Sequence, residues 1–189
     1  IKKAGTVILL STIFIWFTSS FGFVDGHFGM VEDLSDGILA SIGQAIAWIF
    51  APLGWGNWQA AVAAITGLVA KENVVGTFGI LYGFAEVAED GSEIWGTLAQ
   101  SFTAVSAYSF LVFNLLCAPC FAAIGAIKRE MNNARWTWFA IGYQTVLAYG
   151  VSLCIYQLGS WFETGSFGIG TAAAIILVAL FIYLLIRPY

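Results

Sequence analysis

Charge is missing from most of this chain. Six runs hold no Asp, Glu, Lys or Arg: 4–24, 37–70, 73–85, 94–127, 136–162 and 164–186. Crossing a bilayer takes roughly 20 mostly apolar residues as a helix, because each residue rises about 1.5 Å. Four runs meet that length as single spans, at about 4–24, 98–118, 136–158 and 167–187. Lys2-Lys3 precede the first, but it has no small-residue cleavage site and is long enough to span, so it does not read as a signal peptide. The stretch 37–85 differs from these. It is hydrophobic but interrupted by Pro52, by Gly54 and Gly56, and by Lys71-Glu72.

Composition agrees with a membrane chain. Of 189 residues, 60% are hydrophobic and 10% charged, against about 45–50% and about 25% in soluble domains. That excludes an ordinary soluble domain and a disordered tail. A net charge of −4 excludes a nucleic-acid module with a basic face, so no nucleic-acid partner is expected. Cys117, Cys120 and Cys154 all lie in apolar stretches, which does not suit a disulfide scaffold. The chain opens at Ile1, and the expectation is a piece of a longer protein.

The few charges orient the spans. Lys2 and Lys3 precede the first, Lys128, Arg129 and Arg135 lie between the second and third clear spans, and Arg187 follows the last. The other loops are acidic: Asp25 to Asp36, then Glu86 to Glu93, then Glu163. Basic loops stay on the cytoplasmic side, so both termini are expected there. The stretch 37–85 then connects two outer loops and must cross an even number of times or re-enter. Broken backbone at membrane depth is tolerated only where protein or a cavity surrounds it. The expected fold class is therefore all-α: a polytopic transmembrane helical domain with a broken or re-entrant helical hairpin, its tip near Lys71-Glu72. Its organisation would be a transmembrane helix at 1–24, an acidic outer loop at 25–36, a region of broken helices at 37–130 and two C-terminal transmembrane helices at 131–189.

Two places carry candidate chemistry. Lys71-Glu72 is the first. A charge at membrane depth costs roughly 2.5–3.5 kcal/mol on insertion scales and usually faces a cavity or a partner. A snorkelling lysine at the interface is the plainer alternative. Asn73 and Thr77, four residues apart, extend a polar stripe beside the pair. The second is FNLLCAPC at 113–120. Thr103 and Asn114 share one helix direction, and Ser106 and Cys117 another. Pro119 has no N–H for the carbonyl of Leu115, so the helix should break there. A freed carbonyl beside a thiol is a binding point for a borderline-soft divalent cation, since thiolate ligands favour Fe, Cu(I) and Zn over Mg or Ca. The alternative is that cysteine packs as a small hydrophobe and that Ser and Thr bond back to their own helix. CxxC alone lacks the further ligands of a structural zinc site. His27 reads as solvated in the acidic loop, and Cys154 as packing. There is no Walker-type phosphate loop, no Ser/His/Asp set and no HExxH.

Three separated motifs then resemble one family in order and spacing. They are KAGTVILLSTIFIWF at 3–17, TGLVAKE with Val74-Val75 at 66–75, and FLVFNLL at 110–116 running into APCFAA and KRE at 118–130. They look like the C-terminal membrane half of the FeoB-type ferrous iron transporter, over essentially the whole chain. The resemblance makes 37–130 the second of two gate-type regions. It implies Fe²⁺ as transported substrate, import across the bacterial cytoplasmic membrane, and no enzymatic activity in this segment. GTP and Mg²⁺ would be handled only by an N-terminal G domain. The partners implied are membrane lipid, the G domain and first gate of the same parent, a small cytosolic FeoA-like protein and a homo-oligomer. By motif position Cys120 is the gate cysteine, and Lys71 and Glu72 belong to its Ala-Lys-Glu motif. Cys120, Cys117 and Glu72 are the candidate metal contacts; Lys71, Asn73, Asn114 and Pro119 are candidates for the path or its gating. The rival readings are a gate-type carrier for another solute such as a nucleoside, and a non-transporting membrane scaffold.

Overall fold

The computed structural model describes residues 9–10, 13, 16–18, 20–24, 27–30, 37–69, 71, 73–82, 94–118 and 120–187. Helices dominate them, as the all-α reading requires. Glu72, Pro119 and the acidic stretch 83–93 lie outside the described residues, as does the side chain of Asn73.

The first charge-free run does not remain helical to Val24. Its described residues up to Ser20 are helical, and then strand β1 (Phe21–Val24) pairs antiparallel with β2 (His27–Met30), Val24 opposite His27. His27 therefore belongs to a strand rather than to an open loop. Gly22 bridges to Gly37, which leads directly into helix α1 (Ile38–Phe50).

A 3-10 turn at Ala51–Leu53 follows, and α2 (Trp58–Val69) leaves it at 95°. The sequence explains the break. Pro52 sits in the first turn of the 3-10 segment, and Gly54 has φ +87°, a conformation that costs a side-chain-bearing residue dearly. Asn57 Oδ1 accepts from the Ala60 N–H at 2.7 Å, which restarts the helix. Trp55 plugs the corner. It is 1% exposed, stacks on Phe50 at 4.5 Å and meets Phe110 edge-on at 5.1 Å.

Helix α3 (Asn73–Leu81) folds back on α2, joined by a buried hydroxyl pair, Thr66 Oγ1 to Thr77 Oγ1 at 3.0 Å. Helices α4 (Trp95–Ser101) and α5 (Ala104–Leu116) meet at 102°. The expected single span at 98–118 is thus a second bent pair. Its break carries neither Pro nor Gly. Thr103 instead forms a capping box with Ser106: the Ser106 N–H donates to Thr103 Oγ1 at 3.2 Å, and the Thr103 N–H to Ser106 Oγ at 2.8 Å. Helix α6 (Phe121–Met131) ends at Asn132, φ 44°, with Lys128 and Arg129 in its last turn.

Helices α7 (Ala134–Thr164) and α8 (Ile169–Ile186) are the two described helices long and apolar enough to cross a membrane alone. Each bent pair is a further broken span or a re-entrant loop by length and composition. The core lies where α5 packs on α7 and on the first break, with Leu53, Trp55, Phe78, Phe110, Phe113 and Leu153 at its centre. Ala60, Ala61, Ala63 and Ala64 are all buried on α2, the small residues through which membrane helices approach closely.

Candidate functional site

Every helix break frees carbonyls, and in hydrocarbon each must find a donor. At the first break, donors come from far along the chain. Tyr149 Oη donates to Ile49 O at 2.8 Å, Gln157 Nε2 to Pro52 O at 2.7 Å and Ser109 Oγ to Leu53 O at 2.9 Å. Ser109 and Ser152 are completely buried, their hydroxyls 2.7 Å apart, and Ser152 Oγ lies 2.8 Å from Ser109 O. Helices α5 and α7 therefore close the corner that α1 leaves open. None of these four side chains was singled out from the sequence. A glutamine amide in an apolar span was a legible signal for Gln157; Ser109 and Ser152 look like ordinary small residues.

The second junction lies at the C-terminus of α5. Cys117 is its cap, with ψ 168°, so the chain leaves the helix in an extended conformation. Lys71 arrives from the turn between α2 and α3. Its ammonium donates to Asn114 O at 2.7 Å and to Leu115 O at 3.3 Å. The two sequence motifs, 43 residues apart, meet here. The carbonyl of Leu115 expected to be freed by Pro119 accepts from Lys71 here. The negative end of the α5 dipole and the charge-assisted bond both favour a cation at this point.

One thiol lies at this junction and a second follows three residues along the chain. Cys117 is buried and its Sγ lies 3.5 Å from Asn114 O, the carbonyl that Lys71 also takes. Cys120 is half-buried, caps the N-terminus of α6 and makes no side-chain capping bond. All three cysteines are free, and Cys154 donates to Ala174 O at 3.6 Å between α7 and α8, as a packing residue does. The Asn114 amide bonds back to Phe110 O at 2.9 Å, so the backbone oxygen is what this residue offers to the junction. Gly67 permits the approach: a Cβ there would stand 2.9 Å from Val74 Cγ2 and 3.1 Å from Asn114 Oδ1.

The long polar stripe read along α5 divides into parts. Thr103 and Ser106 are occupied by their own capping box, whereas Asn114 and Cys117 sit at the junction. Thr77 is consumed by Thr66. Among the described residues no three His, Cys, Asp or Glu side chains form one cluster, so a cation here would draw on carbonyls together with thiols. A separate cavity of about 380 Å³ between α3, α4 and α5 is lined by groups such as Val74, Phe78, Leu98, Phe102 and Leu111. Its apolar walls give a metal ion nothing to bind.

Comparison with known proteins adds the following. A family profile described as "Gate: Nucleoside recognition" matches residues 1–134. A protein named Fe(2+) transporter FeoB from Methanocaldococcus jannaschii is 36% identical over 165 residues, covering 85% of this chain and 24% of the relative. A protein of the same name from Staphylococcus aureus strain COL is 32% identical, with 86% of this chain and 23% of the relative covered. Its namesake from Escherichia coli K12 is 28% identical, over 99% of this chain and 30% of the relative. The chain thus spans about a quarter of the length of the first two. No solved structure matches.

Proposed function

Because this chain belongs to the Gate family, in the form that FeoB-type transporters carry, we propose that it forms part of a membrane path for Fe²⁺. The observation that supports this most is the meeting of Lys71 with the carbonyl end of α5, where the free thiol of Cys117 approaches the same oxygen. Gate-type transporters place substrate between broken helices, where unwound carbonyls and a few side chains replace the ion's water. In this reading Cys120 is a soft ligand, Cys117 a second, and Glu72 the carboxylate that offsets the cation's charge. Thiolate and carbonyl together suit Fe²⁺ better than Mg²⁺ or Ca²⁺.

The rest of the parent supplies what these residues lack. A G domain outside them would bind GTP and Mg²⁺, and its state would bias which side of the path is open. A first gate would complete the ligand set, and an FeoA-like protein and a second copy are further partners. The chain would lie in the cytoplasmic membrane with both ends inside. The wording of the family profile favours a second reading, a nucleoside carrier, against which stand the names of the relatives and the thiol pair.

The test is Fe²⁺ uptake in cells lacking their own ferrous importer, with the full-length parent at matched expression. Cys120→Ser is expected to abolish most uptake and Cys154→Ser to leave it unchanged. Normal uptake by Cys120→Ser removes the thiol from the path. Nucleoside uptake without iron uptake in the wild type moves the second reading to the front.

A further inference from the structure

The ammonium of Lys71 stands where the negative end of a broken helix would hold a metal ion. Its partners are Asn114 O at 2.7 Å and Leu115 O at 3.3 Å, and Cys117 Sγ approaches the first of these at 3.5 Å. These oxygens have no intrahelical route to satisfaction. The chain turns extended at Cys117, and the residue that would bond Leu115 O is a proline without an N–H. Without Lys71 only the weak thiol donor of Cys117 remains to Asn114 O, and a carbonyl that faces hydrocarbon without a donor is costly, so whatever removes Lys71 must put another cation or donor in its place.

We propose that Lys71 is a tethered cation that closes the path, and that a divalent ion advances only by displacing it from Asn114 O and Leu115 O. The inference rests on reading this junction as the metal path. It also gives the path a filter. A tethered group competes at an effective concentration in the millimolar range or above, so a free monovalent cation of the same charge gains nothing by entering. A doubly charged ion gains more from the same oxygens, because the Coulomb term scales with charge. If it is thiophilic, it also gains the neighbouring sulfur. Mg²⁺ has the charge without the affinity for sulfur and holds its water tightly, so it is rejected too. The released side chain has a flexible four-carbon stem and can swing away while the backbone stays in place.

The direct test is amine footprinting of the purified full-length protein in detergent, without oxygen. A small acylating reagent is applied with no metal, with Fe²⁺, with Zn²⁺, with Mg²⁺ and with K⁺, and modification of Lys71 and Lys128 is read by mass spectrometry. A side chain free about 10% of the time or less should react about tenfold faster once a metal displaces it. The expected result is that rise at Lys71 with Fe²⁺ or Zn²⁺, none with Mg²⁺ or K⁺, and no change at Lys128. Unchanged Lys71 reactivity at saturating Fe²⁺ and Zn²⁺ overturns the proposal.

Proteoliposomes supply an independent measurement. Lys71→Met should leak K⁺ and Co²⁺ without nucleotide while Lys71→Arg stays closed, and a Lys71→Met protein that assembles and stays tight also overturns the proposal. If Lys71→Met does not assemble, the footprint alone decides. Release of Lys71 by Zn²⁺, in a protein that imports no iron in cells, would sink the iron reading and leave this one standing. Iron import with Lys71 still protected would do the reverse.

Discussion

Ser109 shows how much a single hydroxyl can hold in a membrane interior. It donates toward Leu53 O and shares a hydrogen bond with Ser152, all fully buried. Removing it strands the Leu53 carbonyl, while Ser152 Oγ keeps Ser109 O as its acceptor, so Ser109→Ala should lose about 1–3 kcal/mol. Ser109→Ala with Ser152→Ala should cost less than the sum of the two, because both delete one interaction. Unfolding in detergent, followed by circular dichroism, measures both. Gly54 is a second such residue. Its φ of +87° and the Tyr156 ring against it leave no room for a Cβ. Gly54→Ala should therefore lower the melting temperature, and adding Tyr156→Ala should restore part of the loss, since the backbone strain remains. Lys71 was legible in the sequence, because a charge at depth is scarce enough to notice. The freed oxygen of Leu115 was legible too, from Pro119, but its pairing with Lys71 was not, because no side-chain pattern joins two motifs 43 residues apart.

At the scale of the element, length decides what each helix can do. Helix α5 has 13 residues, about 20 Å, and cannot cross a hydrocarbon layer of about 30 Å alone. Helix α7 has 31 residues. Trp138 and Trp161 lie on it about 35 Å apart by helical rise, which sets an aromatic anchor near each interface. Close approach of α5 to α7 depends on Gly159, where a Cβ would stand 2.6 Å from Val105 Cγ1. Gly159→Leu should force the pair apart and lower stability by about 1–3 kcal/mol. Gly142→Leu, on the same helix with open space around it, should be tolerated, and thermal unfolding of the two variants side by side checks this.

The break at 52–57 was readable from Pro52, Gly54 and Gly56. The break at 102–103 was hidden because the run carries no charge, Pro or Gly there, and its signal was the Thr103–Ser106 spacing of a helix start. The β1–β2 hairpin was also written locally. Val24 pairs with His27, so Asp25-Gly26 connects the strands, the dipeptide that two-residue hairpins favour. Charge counting had absorbed it into an acidic loop.

Over the whole molecule, apolar surface faces outward. Val146, Ile169, Leu180, Leu185 and Ile186 are exposed on α7 and α8, and only 22% and 11% of the spanning windows of those helices are buried. Such surface is stable against lipid or the rest of a larger protein, not against water. Lys128, Arg129 and Arg135 around the α6–α7 connection predict that this end of α7 lies inside. A cysteine at Asn132 should react with an impermeant maleimide only from inside and one at Ser166 only from outside, in a background without the native cysteines. Labelling of both from one side would remove α7 as a single crossing.

The central claim is that Fe²⁺ meets the thiols at the junction between α5 and α6. X-ray absorption at the iron edge on the Fe²⁺-loaded full-length protein reads that contact directly. The account predicts a sulfur shell in the wild type that weakens in Cys120→Ser and disappears in Cys117→Ser/Cys120→Ser. An iron surrounded by oxygen and nitrogen alone, unchanged by either substitution, would contradict it.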